Sequence, residues 1–445
     1  MFFLDYILAI LVFIVTMAFL LIRCALLFFM VRLAPSFKYG GNNNIFRIIQ
    51  GDFEIIKKKD VFFGFYEDLR IFNHLYIICF PARSRNVIHF GEKMTFMDIP
   101  LKARLMKKIG LPICYAILGL FFYYWSILDL VPLVKKNASL IRGSDPHHTG
   151  IAAIALGFIC KTPYCISIHS DYDLIFESKQ QFYITKLLLP AQRLRKFVER
   201  LVLSNAENVI AVSDFIRAYA LRSGARVKKI HVLPHGVIAQ RFKNIDVNIV
   251  RDRFSWQKKL LVVTVSRISS EKAIFDIPDI AQRLNGFSDN LLFVIVGDGP
   301  DNLLFKEKIS QLNLDEKIKL IGWQNQDTVA AIRCAADVNL CLYDGYSLIE
   351  AAMSSRPIVA YDVEWHSELV KNEETGILVP NRDIAAAALA IKRLLNDPLL
   401  SNMLGEKANQ LATRNHEMEK AAKRKEDFYR TIMLKNSNNT VTPLI

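Results

Sequence analysis

Two cations five residues apart, at the end of an apolar run, are the first chemically loaded feature of this 445-residue chain. Arg267 and Lys272 lie in SRISSEKAIFD (266–276), directly after LLVVTV (260–265). That run is β-branched and uncharged, which predicts a central parallel strand covered on both faces. From about Ser270, with Glu271 in the first turn, the pattern predicts a helix start. In open α/β sheets ligands sit beyond the carboxyl ends of the strands, and a helix N-terminus there favours an anion. Two fixed cations at that place fit a phosphate or diphosphate guest.

The elements that must position this pair follow a regular rhythm. On the C-terminal side the strand signals are LLVVTVS (260–266), NLLFVIVGDGP (290–300), IKLIGW (318–323), DVNLCLY (337–343), PIVAYDV (357–363) and GILVP (376–380), with helical segments between most of them. On the N-terminal side come ASLIRG (138–143), a helix-like TGIAAIALGFIC (149–160), YCISIH (164–169), a basic helix (190–203), NVIAVS (208–213) and KIHVLPHGV (229–237). Residues 46–100 give only short strand-like runs such as HLYIICF (74–80). Strand–helix–strand repeats predict parallel sheets with crossover helices. Two doubly wound domains are expected, 40–242 and 243–410, then a helix over 411–433 and a disordered polar tail over 434–445.

The chain is 52% hydrophobic and 22% charged, which excludes a largely disordered protein. Its net charge of +14 suits anionic lipid or phosphorylated substrates. Nucleic acid is not expected, because no Cys/His finger or aromatic RNA-binding signature is present. Seven cysteines, none in a C-x-x-C pair, argue for a reducing compartment and against a disulfide framework or zinc site.

YILAILVFIVTMAFLLI (6–22), Arg23 and CALLFFMV (24–31) are together long enough to span a bilayer, so residues 1–33 are read as a transmembrane anchor. The start MFFLD lacks a basic n-region, which disfavours a cleaved signal. Arg32, Lys38 and Arg47 downstream, against Asp5 upstream, place the body on the cytoplasmic side of a single-pass protein. Arg23 leaves open a tilted interfacial helix that does not cross. The second apolar stretch, GLPICYAILGLFFYYWSIL (110–128), follows Lys102, Arg104, Lys107 and Lys108 and reads as a helix docked on the membrane surface, with a second span as the alternative.

Taken in order, SRISSEK, VIVGDGP (294–300), IGWQ (321–324), AAD (335–337), LIEAAMSSRPIVAYDV (348–363) and ETGILVP (374–380) resemble the retaining glycosyltransferases of family 4. IRGSDPHHTG (141–150), ISIHSDYD (166–173), VIAVSDFIR (209–217) and VLPHGV (232–237) sit where that family has its acceptor-side motifs, so the resemblance covers about 138–432. It implies an α/β chain of GT-B fold, two doubly wound Rossmann-like domains facing across a cleft, here with an N-terminal transmembrane helix.

The resemblance also implies roles. Arg267 and Lys272 would hold the diphosphate of a nucleotide-sugar donor, UDP- or GDP-linked, and stabilise the leaving nucleoside diphosphate. Glu350 matches the second glutamate of the family's paired motif and would accept hydrogen bonds from ribose hydroxyls, two of which one carboxylate can take. The first glutamate has no counterpart: Leu342 stands there, and the loop YDGYSLIE is shortened. Asp344, six residues before Glu350, either replaces it or the contact is lost. His169 would face the donor sugar from the end of YCISIH, and Gly297 would let the backbone approach the nucleotide. Ala273 replaces a glycine of the pattern, putting a methyl where the backbone is usually bare. Asp145, His147 and His148 precede His169 on a loop facing acceptor or metal; without a second ligand cluster no metal is expected, and no cofactor beyond the donor substrate. The implied activity is retaining transfer of a sugar to a lipid-linked glycan acceptor or another membrane-proximal glycan. A degenerate GT-B protein that binds nucleotide sugar or a partner without turnover is the alternative raised by the shortened loop.

Overall fold

The computed structural model describes residues 43–50, 53–54, 65, 67–82, 84–100, 125–177 and 192–439. The expected anchor over 1–33 and most of the 110–128 stretch lie outside the described residues. Among the described residues no helix is long and apolar enough to cross a membrane. The chain forms two compact units: Met1–Val212 with Ile216–Leu233 and Arg424–Ile445, and Ser213–Phe215 with Pro234–Lys423. The division falls ahead of the 242/243 boundary expected from sequence, because Val237 already bridges to Glu417.

The first unit is built on β1 (Asn44–Gln50), β2 (His74–Ala82), β3 (Asn86–Phe90), β4 (Met94–Pro100), β5 (Ala138–Gly143), β6 (Tyr164–Ile168), β7 (Val209–Ala211) and β8 (Ile230–Val232). Their order is β3-β4-β2-β1-β5-β6-β7-β8, parallel except for the β3–β4 pairing. Four strands therefore come from residues 44–100, where the sequence pattern shows only short runs. For β1 the reason is electrostatic. Central β1 carries Arg47 in its middle, and the guanidinium is accommodated because it donates to the fully buried Asp68 at 2.9 Å. Arg142 on β5 lies 3.9 Å from Asp68, donating to Tyr429 Oη at 2.9 Å and to Ser167 Oγ on β6 at 2.8 Å. Lys425 pairs with Glu67 and approaches Asp68 to 3.7 Å. Burial alone would raise the Asp68 pKa, but Lys425, Arg47 and Arg142 outweigh it and hold the carboxyl below its ordinary value.

Tyr429 and Lys425 belong to the last helix. The expected single helix over 411–433 is two, Pro398–His416 and Met418–Asn439, separated by an extended Glu417 (φ −62°, ψ 133°). The second runs into the segment expected to be disordered, since no Pro or Gly interrupts the chain between Met418 and Thr442.

The second unit is an all-parallel sheet of β9 (Leu260–Val265), β10 (Leu291–Val296), β11 (Ile318–Leu320), β12 (Val338–Cys341), β13 (Ile358–Tyr361) and β14 (Ile377–Val379), in the order β11-β10-β9-β12-β13-β14. Leu261, Val262 and Val263 of β9 are fully buried, as the apolar run predicts for a strand covered on both faces.

Candidate functional site

β9 lies between β10 and β12, where the strand order of the second unit reverses direction. A reversal opens a crevice beyond the strand ends, because the loops on either side leave toward opposite faces. The loops after β9 and β12 meet there. Lys272 Nζ donates to the Tyr343 carbonyl at 2.9 Å, and Ser347 Oγ donates to the Val265 carbonyl at 2.6 Å. Arg267, Lys272, Asp344 and Glu350 are thus all carried by the segments that follow these two strands.

The segment after β9 differs from the expected helix start at Ser270. Ser270–Lys272 is one 3-10 turn, Ala273 adopts a left-handed conformation (φ 52°), and the helix begins only at Asp276 (Asp276–Arg283). The left-handed residue ends the turn, at a typical cost of roughly 1–2 kcal/mol for an L-residue. The Ala273 methyl packs into the buried core with Ile268 and Ile274.

Arg267 is exposed over about half its side chain (56%). Its Nη2 pairs with Glu271, and its Nε donates to Ser269 Oγ at 3.3 Å. The sequence pattern marks Glu271 only as a first-turn residue; it is the counter-ion of Arg267. Such an exposed i,i+4 pair is worth roughly 0.3–0.5 kcal/mol, little enough for a doubly charged ligand to displace.

Gly297, just after β10, has φ +136°, and a Cβ there would lie 2.1 Å from the Ser266 carbonyl oxygen. Its bareness lets the β10 loop close on the β9 loop, and its N–H donates to the Gly322 carbonyl at 2.8 Å. The close approach that requires a glycine is backbone to backbone.

Asp344 is buried, and its N–H donates to Nε2 of the buried His366 at 3.2 Å. The other His366 nitrogen faces the Tyr361 carbonyl at 2.9 Å. The shortened loop is therefore pinned from two sides, by Lys272 on Tyr343 and by His366 on Asp344. His366 carries no sequence signal, being a lone histidine after a strand. Glu350 is half-buried in the second turn of the helix Tyr346–Met353. Burial raises its pKa, with Arg333 and Arg241 opposing and Asp344 adding to the rise. Arg333 is fully buried and donates to Asn339 Oδ1 at 2.9 Å and to Ser347 Oγ at 2.5 Å.

In the first unit the reversal falls between β1 and β5. Asp145 sits there, accepting from Gln50 Nε2 at 3.0 Å, Thr149 Oγ1 at 2.8 Å and the His147 N–H at 2.7 Å. His147 and His148 are buried. The His147 ring stands edge-on to Tyr172 at 5.0 Å, with Nε2 3.6 Å from Glu199. Burial opposes ionisation of Glu199, but hydrogen bonds from His147, Ser223, Lys196 and Tyr219 pull its pKa down to about 2. His169 follows β6 directly and is half-buried. It belongs to the first unit, whereas Arg267, Lys272, Gly297, Asp344 and Glu350 belong to the second. Among the described residues no group of three or more His, Cys, Asp or Glu could hold a metal ion.

Comparison with known proteins identifies the fold and the family. Residues 248–411 match the family model "Glycosyl transferases group 1" and residues 101–241 match "Glycosyltransferase Family 4". Over 285 residues the chain is 25% identical to the alpha-D-kanosaminyltransferase of Streptomyces kanamyceticus, covering 62% of this chain and 72% of that one. Over 292 residues it is 26% identical to the UDP-Gal:alpha-D-GlcNAc-diphosphoundecaprenol alpha-1,3-galactosyltransferase of Escherichia coli, with the same 62% and 72% coverage. Its fold is similar to that of Anabaena HepE, solved with UDP and glucose, with a TM-score of 0.65 at 15% identity over 87% of this chain and 99% of that one. With two Rossmann-like sheets of the GT-B type and both family models matched in sequence order, the chain belongs to the group 1, family 4 glycosyltransferases and is an enzyme of the hexosyltransferase type.

Proposed function

We propose that this enzyme is a membrane-anchored, retaining hexosyltransferase that takes a sugar from a UDP- or GDP-linked donor and delivers it to a lipid-linked or membrane-proximal glycan, with its body on the cytoplasmic side. The observation that carries the reading is the crevice at the β9/β12 reversal, where Lys272 reaches across from one loop to the other. Lys272 and Arg267 bind the donor diphosphate there, and Arg267 exchanges Glu271 for phosphate oxygens. Glu350 accepts from the ribose hydroxyls, and Gly297 lines the nucleotide side. As the bond from the sugar to the diphosphate breaks, negative charge grows on the departing phosphate, and the two fixed cations stabilise it. His169 contacts the donor sugar, and Asp344 contacts it in place of the family's glutamate. The apolar 6–31 segment and the lipid-linked substrate named for the Escherichia coli relative favour an acceptor at the membrane.

The test is release of nucleoside diphosphate from a panel of UDP-, GDP- and ADP-sugars by membranes carrying the wild type or the Arg267→Ala/Lys272→Ala double variant, with and without lipid extract. Lipid-dependent release by the wild type alone is expected. Release that ignores added lipid refutes the acceptor assignment, and no release from any donor refutes the transfer.

A further inference from the structure

The helix Gln192–Asn205 of the first unit buries Val198, Val202 and Leu203 and turns a second apolar stripe outward. Leu194, Phe197 and Leu201 are 45%, 64% and 50% exposed and fall at i, i+3 and i+7, on one side of the helix. Arg193 and Arg200 flank the stripe and are exposed. The turn around Gly224 abuts Arg200, whose Cγ lies 3.1 Å from where a Gly224 Cβ would be. That turn leads into Arg226, Val227, Lys228 and Lys229, all exposed. Glu199 faces inward to His147 and Ser223, so Glu207 is the one exposed carboxylate in residues 192–207 and 221–230.

Apolar side chains ringed by cations, with the nearby acids Asp173 and Asp171 already paired to Lys196 and Arg222, match one kind of surface better than others. A polyanion in solution satisfies the cations and leaves the stripe wet. A protein partner satisfies the stripe without needing cations of one sign. An anionic lipid surface satisfies both, taking the apolar side chains at the acyl boundary and the cations at the phosphates. We infer that the outward face of 192–205, with the 226–229 turn, docks on an anionic bilayer. This rests on the membrane-proximal reading above and adds the surface by which the body of the enzyme lies on the lipid.

The full chain is reconstituted in vesicles of phosphatidylcholine, alone or mixed with phosphatidylglycerol, with the photo-crosslinker p-benzoylphenylalanine in place of Phe197 or, as an exposed control in the second unit, of Leu303. Lipid adducts at 197 should exceed those at 303 about tenfold in anionic vesicles and fall in high salt. In an Arg193→Gln/Arg200→Gln background docking should weaken roughly thirtyfold, at about fivefold per cation. Equal yields at 197 and 303, equal yields in neutral lipid, or adducts to protein overturn the inference. Transfer to a lipid-linked acceptor is measured on the same vesicles. Transfer without adducts overturns this surface and spares the functional reading; adducts without transfer do the reverse.

Discussion

Replacing Asp68 by alanine should cost about 3–5 kcal/mol, the range for breaking a buried ion pair from one side. Its carboxylate is fully buried and stands 2.9 Å from Arg47, 3.9 Å from Arg142 and 3.7 Å from Lys425, with Tyr429 Oη donating at 3.4 Å. Glu67 still neutralises Lys425 in the variant, and Arg142 keeps Tyr429 and Ser167 as acceptors. Arg47 is therefore left worst off, inside a central strand with no carboxylate. Asp68→Asn keeps an acceptor for Arg47 and loses only the charge, so about 2–3 kcal/mol is expected. On the Asp68→Ala background, Arg47→Met should cost less than it does alone, by roughly 1–3 kcal/mol. Urea unfolding of the purified chain measures the totals, and hydrogen exchange over 418–439 reports whether the last helix loosens. Because the folded Asp68 pKa is depressed, its contribution is complete above the ordinary carboxylate range and is lost as pH falls through the lower folded value. The penalty should therefore be flat from neutral pH down to mild acid. A cost below about 1 kcal/mol, with unchanged exchange in the last helix, would refute the view that Asp68 neutralises this core.

Lys272→Ala should lower turnover by roughly two to three orders of magnitude, while stability falls by no more than the one charge-assisted bond to Tyr343, about 1.5–3 kcal/mol; a loss of activity below tenfold in a folded variant contradicts its role at the diphosphate. Gly297→Ala should destabilise by about 3 kcal/mol, from the positive φ and the overlap with the Ser266 carbonyl, and an unchanged melting temperature would show that the two loops are not in contact. The Glu199 carboxylate, held near pKa 2, contributes stability that is present above the unfolded value and drains as pH falls from about 4.5 toward 2; Glu199→Gln should remove that slope from acid-unfolding curves. The raised pKa of Glu350 means that donor affinity should decline on acidification earlier than an ordinary carboxylate would dictate, and titration calorimetry with the nucleoside diphosphate against Glu350→Gln tests it.

What was legible in the sequence followed the apolar runs. β9 and β10 are short, uncharged runs of β-branched and other apolar residues, and the end of β9 located Arg267 and Lys272 at once. β1 was not legible, because Arg47 interrupts it and the acid that makes it tolerable is twenty-one residues away. The helix start at Ser270 failed for a local reason, a left-handed alanine that pattern reasoning treats as a good helix former. His366 and Glu271 escaped notice because each acts through a contact of geometry: one holds the Asp344 backbone across twenty-two residues, the other neutralises its neighbour. Periodicity registers burial, and it does not register which charge answers which.

The last helix has a bearing on how the protein is made. The first unit is discontinuous: most of it lies within residues 1–233, and the remainder begins at Arg424. Domains usually fold as their chain emerges from the ribosome, N-terminal first. Here the β1–β5 core cannot acquire Lys425 and Tyr429 until the second unit's chain has been made, so Asp68, Arg47 and Arg142 must wait while Pro234–Lys423 is translated. The second unit, whose chain is all but continuous, can close first. A nascent chain stalled before Arg424 should thus present a finished C-terminal sheet and an N-terminal one still open to chaperones.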